Sequence, residues 1–196
     1  MSAVNPVGLE MLLSTIRRPM PNVVGVFVNS TAIWLVASAS WQQLGSMTQL
    51  QALSLNISKH KGSQLPTSAF KAFQWRDLAC LGGLTQLQHL HLAADNACGR
   101  SMNSGLGFLG KLTALTELHL AIPVEHGFSA VSSCTQLRRL WVCPEPSMTP
   151  VEQGALSTQG CKAVSRLTQL TRLGLLWPLQ EGAKTVLCRH WGTCHS

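Results

Sequence analysis

Acidic residues are scarce in this chain, and so is charge of any kind. Asp and Glu number 8 against 15 Lys and Arg, and charged residues fill only 12% of 196 positions. Together with 45% hydrophobic content and a mean hydropathy of +0.16, this excludes a disordered polar chain and implies a folded unit. The imbalance leaves a formal charge of +7 and a pI near 9.4, which favours an acidic partner. Long apolar runs are also lacking: no stretch reaches the roughly 18 uninterrupted apolar residues of a membrane helix. The run from Val23 to Ala39, with Arg17-Arg18 ahead and Ala37-Ser38-Ala39 at its end, has the outline of a signal peptide. Asn29-Ser30-Thr31 breaks it, however, and a polar lead of 22 residues is long for a leader.

The seven cysteines (Cys80, Cys98, Cys134, Cys143, Cys161, Cys188 and Cys194) lack the close pairs of a disulfide framework. A reducing compartment, the cytoplasm, is therefore expected. Asn29-Ser30-Thr31 and Asn56-Ile57-Ser58 match the glycosylation sequon, which would matter only in a secreted chain. No Ser, His and acid arrangement and no carboxylate pair stands out, so the chain is not expected to be an enzyme.

What the sequence has in abundance is one spacing. In Leu109-Gly110-Lys111-Leu112-Thr113-Ala114-Leu115-Thr116-Glu117-Leu118-His119-Leu120 the apolar residues fall at intervals that recur along most of the chain. The anchors are Leu50-x-x-Leu53-x-Leu55, Leu87-x-x-Leu90-x-Leu92, Leu115-x-x-Leu118-x-Leu120, Leu137-x-x-Leu140-x-Val142 and Leu170-x-x-Leu173-x-Leu175. A degenerate sixth copy, Val23-x-x-Val26-x-Val28 with Met20 ahead of it, explains the early apolar run better than a leader does. Each clear copy adds two apolar residues at a spacing of three: Leu44 and Met47, Leu81 and Leu84, Leu109 and Leu112, Val131 and Cys134, Val164 and Leu167. A spacing of three marks one face of a helical turn, whereas Leu-x-Leu alternates as a strand does. Each unit thus reads as a helical turn followed by a strand, and no single unit can bury its apolar stripe alone. The units must stack, strands beside strands in a parallel sheet and helical turns behind it.

The pattern Leu-x-x-Leu-Thr-x-Leu-x-x-Leu-x-Leu resembles the short class of the leucine-rich repeat family, over roughly residues 20 to 177. The resemblance implies an α/β solenoid with a curved parallel sheet on the concave face and short helices or 3₁₀ turns on the convex face. On this reading residues 1–178 form a domain of about six repeats, with strands near 23–28, 50–55, 87–92, 115–120, 137–142 and 170–175, and residues 179–196 an irregular tail. Two features depart from the family. Its Asn or Cys three residues after the last strand Leu is replaced by Ser58, Asp95, Pro123, Glu145 and Pro178. Its spacing is uneven as well, with first anchors 27, 37, 28, 22 and 33 residues apart. The two long intervals hold insertions. Ser68 caps an expected helix to Leu78, and Thr149-Pro150-Val151-Glu152 starts another that stops near Gly160. Thr48, Thr85, Thr113, Thr135 and Thr168, two residues before each first anchor, are expected to close the turn through their hydroxyls.

In such a repeat, residues flanking the strand leucines face the open side of the sheet. These are Ala52 and Ser54, His89 and His91, Glu117 and His119, Arg139 and Trp141, Arg172 and Gly174, so polarity changes along the array. His89, His91, Glu117, His119, Arg139, Trp141 and Arg172 are the candidate partner-binding residues. Trp141 serves as apolar anchor and the two guanidiniums as carboxylate partners, since aromatics and Arg dominate interface energetics. A metal at His89, His91, Glu117 and His119 needs converging ligands that a ladder does not supply, and no metal or other cofactor is expected. The tail's Cys188-x-His190 and Cys194-His195 lack zinc spacing, and Gly105-Leu106-Gly107-Phe108-Leu109-Gly110 follows no strand as a dinucleotide loop must. The expected function is non-catalytic recognition of a protein partner, without a small-molecule substrate or a membrane. The alternatives are a structural scaffold component, cytoskeletal or axonemal, and a nucleic-acid binder using its basic surface.

Overall fold

A computed structural model describes residues 23–29, 38–56, 75–94, 105–122, 128–143 and 158–176. Six strands form one parallel sheet: β1 (Gly25–Asn29), β2 (Ala52–Asn56), β3 (His89–Ala93), β4 (Glu117–Ala121), β5 (Arg139–Cys143) and β6 (Arg172–Leu175). Their order in the sheet is their order in the chain. Between them run α1 (Ser38–Gly45), 3₁₀ helices at Trp75–Gly83 and Leu106–Lys111, α2 (Phe128–Val131) and α3 (Thr158–Val164).

The anchor spacing explains this layout. Alternation sends one side of every strand inward, and the register aligns Val26, Leu53, Leu90, Leu118, Leu140 and Leu173 in one row. Val28, Leu55, Leu92, Leu120, Val142 and Leu175 make the second. The helical pairs Leu44 and Met47 through Val164 and Leu167 meet these rows from behind, and all ten are buried. Together they form one continuous core.

Backbone bonds repeat with the sequence. Each first anchor donates its N–H to the carbonyl three residues back, as Leu50 to Met47, Leu87 to Leu84, Leu115 to Leu112, Leu137 to Cys134 and Leu170 to Leu167, at 2.9–3.1 Å. The first anchors therefore sit in a turn and each strand begins two residues later. Adjacent units are joined by carbonyls that each accept two N–H groups of the next: Val24 from Gln51 and Ala52, Gln51 from Gln88 and His89, Gln88 from Thr116 and Glu117, Thr116 from Arg138 and Arg139, Arg138 from Thr171 and Arg172.

Two expectations need correction. The five turn threonines are exposed, and among the described residues none of their hydroxyls is bonded to the turn. The turn is closed by backbone alone, with Thr85 N–H donating to Gly83 O and Thr113 N–H to Lys111 O. Hydroxyls that do bond stand three residues further on: Thr116 and Thr171 donate to Gln88 O and Arg138 O, at 3.2 and 3.0 Å, reinforcing the joint between units. The second concerns the later insertion, whose helix does not stop near Gly160 but runs through it to Val164. Cys161, Ala163 and Val164 are buried there, and that burial outweighs the roughly 1 kcal/mol that glycine costs within a helix. The helix start expected at Thr149 lies outside the described residues. So do the first insertion as far as Gln74, the positions of Ser58, Asp95, Pro123, Glu145 and Pro178, and the tail.

Helical segments of neighbouring units approach closely. A Cβ on Gly45 would run into the Cys80 carbonyl, and one on Gly83 would come within 2.8 Å of the Gly45 carbonyl oxygen. Glycine is required at Gly45 by contact rather than by backbone conformation.

Candidate functional site

Because alternation buries the leucines, the residues between them stand on the other face of the sheet in two parallel rows. One row reads Gly25, Ala52, His89, Glu117, Arg139, Arg172 from β1 to β6. The other reads Phe27, Ser54, His91, His119, Trp141, Gly174. All seven candidate residues therefore lie on one surface, in register across four adjacent strands.

The first row carries a charge relay ending in an open guanidinium. Glu117 Oε2 accepts from Arg139 Nη2 at 2.7 Å and from His89 Nδ1 at 3.1 Å. Arg139 is thus already engaged by a carboxylate of its own chain, and its side chain stays partly exposed. Arg172 is exposed and, among the described residues, has no ion-pair partner. Adjacent strands set Arg139 and Arg172 side by side at about 4.8 Å, so among the described residues one positive charge at the β6 end is uncompensated.

The second row is a stack. The His91 and His119 rings lie 4.5 Å apart between centroids, at 26° to each other. Ser54 Oγ lies 3.0 Å from His91 Nδ1, and His119 Nε2 lies 3.2 Å from Cys143 Sγ, so each ring is held by a neighbour. Burial, and then the His119 ring beside it, hold His91 below the usual imidazole range. Burial also lowers His119, against an opposing pull from Glu117. Both imidazoles are therefore neutral at pH 7, which allows two rings to stack without repulsion. Trp141 spreads its indole over Gly174: a Cβ there would lie 3.2 Å from Trp141 Cε3. The absence of a side chain at Gly174 lets the ring lie down, with 36% of the residue still exposed.

Sequence reasoning passed over Phe27. It is 78% exposed and stands at the β1 end of the row that holds His91, His119 and Trp141. The signal was present, since Val26-x-Val28 places Phe27 where Ser54, His91, His119 and Trp141 stand in later units. From Phe27, across the small residues Ala52 and Ser54, to His89, His91, Glu117 and His119 runs a depression of about 350 Å³.

Among the described residues no disulfide joins Cys80, Cys134, Cys143 or Cys161. Burial pushes the Cys134 thiol up to about 11, and raises Cys80 and Cys143 as well, so none is an activated nucleophile. The His-rich middle does not converge either. Among the described residues no three His, Cys, Asp or Glu groups come together in a way that could hold a metal ion. The segment from Gly105 leads into the 3₁₀ helix Leu106–Lys111, whose Leu106, Phe108 and Leu109 are buried, so its apolar side chains belong to the core, and among the described residues no strand leads directly into it as a dinucleotide loop requires. No helix among the described residues is long and apolar enough to cross a membrane.

No family model matches the chain, and no curated protein matches it. Among solved structures it is similar to an internalin from Listeria monocytogenes, at 14% identity over 74% of this chain and 67% of that one. The TM-score is 0.20, and a likeness of that size carries no argument about fold or function.

Proposed function

We propose that the chain is a leucine-rich repeat solenoid of about six units over residues 1–178, followed by a tail over 179–196, and that it is a non-catalytic module binding a protein partner on the open face of its sheet. The observation that carries this reading is the second row. Stacked His91 and His119, the indole of Trp141 and exposed Phe27 stand in register on strands whose other side is locked by leucines. Exposed apolar side chains cost nothing in an interface that later covers them. Rigid strands also hold those side chains in place beforehand, so little ordering entropy opposes association. Trp141 acts as apolar anchor, Arg172 as carboxylate partner, and His89, His91 and His119 as polar contacts. Arg139 keeps a role through the donors that Glu117 leaves free. An acidic partner suits the excess charge, and the lack of disulfides among the described residues suits the cytoplasm.

A nucleic-acid surface fits less well, because Glu117 stands inside the basic row and compensates Arg139. The test is affinity purification from cells followed by mass spectrometry, comparing the wild type with a folded Arg139→Gln, Trp141→Ala, Arg172→Glu variant. Loss of a protein partner with the variant is expected. Unchanged capture would move the interface elsewhere or leave the chain a scaffold, and recovery of nucleic acid alone would change the class of partner.

A further inference from the structure

The aromatic row has a missing rung. Phe27 on β1 and His91 on β3 are two strand spacings apart, about 9.6 Å, and Ser54 between them has no ring. Ring centroids in favourable pairs lie about 4.5–7 Å apart, so two such steps span that gap. One strand further on, His91 and His119 make this step at 4.5 Å. The part of the depression that lies over Ala52 and Ser54 thus has the width of one ring, between exposed Phe27 and the stacked His91 ring.

We infer that the partner supplies that ring: an extended peptide segment inserts an aromatic side chain over Ser54, between Phe27 and His91, and sets a carboxylate on Arg172. This inference rests on the open face being the binding surface. Charge complementarity fixes the second contact, because among the described residues Arg172 has no carboxylate partner whereas Arg139 has Glu117. From β2 to β6 are four strand spacings, about 19 Å, which an extended chain covers in about six residues. The segment therefore runs across the strands with its aromatic and acidic residues about six positions apart. The His91 and His119 rings and the Trp141 indole lie beneath the residues between.

A display library of random twelve-residue peptides, selected against the full chain, tests this. The expected consensus pairs an aromatic residue with Asp or Glu about six positions away. Ser54 is partly exposed on the open face, so Ser54→Phe supplies the rung from within without touching the core. That variant should weaken the selected peptides by about tenfold or more and abolish the aromatic preference. Phe27→Ala gives an independent loss of the same preference should Ser54→Phe not fold. Arg172→Glu should turn the acidic preference basic. Enrichment of Arg or aliphatic residues at the aromatic position, or no enrichment at all, would overturn the inference. Peptides that are lost with Trp141→Ala yet indifferent to Ser54→Phe and Phe27→Ala would overturn it while leaving the binding surface in place. Peptides indifferent to every one of these variants would overturn both.

Discussion

The two faces of one sheet differ in everything but their backbone. On the inner face the same residue recurs from strand to strand: Leu53, Leu90, Leu118 and Leu140 lie in one row and are buried to within 2%. On the outer face no residue type fills a row, and the character drifts from Phe27 and Ser54 through two histidines to Trp141 over Gly174. Uniformity is what stacking demands, since every unit meets neighbours of its own kind. Variation arises on the face where no leucine row has to be buried, and neighbours there meet in pairs of different kinds. Stability should therefore reside on the inner face and specificity on the outer.

Substitutions that sharpen this contrast fall in a clear order. Leu118→Ala removes a fully buried side chain at the centre of the core and should cost about 2–5 kcal/mol in equilibrium denaturation. Gly45→Ala forces a methyl group into the Cys80 carbonyl between two units, and overpacking of this kind costs about 1–3 kcal/mol. Thr116→Val, which deletes the hydroxyl bond to Gln88 O, should cost about 1 kcal/mol, whereas Thr113→Val should leave Tm unchanged. Glu117→Ala opens two ion contacts on the outer face, yet all three partners are more than a third exposed and the loss should be at most about 1 kcal/mol. A cost for Glu117→Ala as large as that of Leu118→Ala would break the division between the faces.

Acid gives a further separation. His91 and His119 have pKa values below the ordinary imidazole value when folded, so on lowering pH through about 6.5 the unfolded chain takes up protons that the folded chain does not. Their contribution is unchanged above that pH, and stability falls as the pH drops toward the depressed values. The denaturation midpoint should decline between about pH 7 and pH 5.5, and His91→Gln with His119→Gln should flatten the decline. An equal decline in that double variant would assign it to other groups.

Much of the fold was legible because its signal is repeated. Five copies of Leu-x-x-Leu-x-Leu place helical turn, turn and strand, and each copy corrects accidents in the others. Single-copy features were harder to read. Gly160 looked like a stop, yet the apolar face continuing through Cys161 and Val164 carried the helix past it. The recurring Thr looked like a turn lock because serine and threonine often are, but the backbone closes the turn unaided. Alternation alone put the seven candidate residues on one surface. Contacts between side chains required coordinates: neither the clasp of Glu117 on Arg139 nor the indole lying over Gly174 has a sequence signature. Phe27 was overlooked because its unit is the degenerate one.

The division between the faces is tested most directly by urea denaturation of the Arg139→Gln, Trp141→Ala, Arg172→Glu variant beside the wild type. A single cooperative transition with the wild-type slope, and a loss of stability no larger than about 1–2 kcal/mol, is expected if the outer face has little part in folding. A reduced slope or a collapse of the transition would mean that these side chains hold the sheet together, and that the two faces share the task of folding.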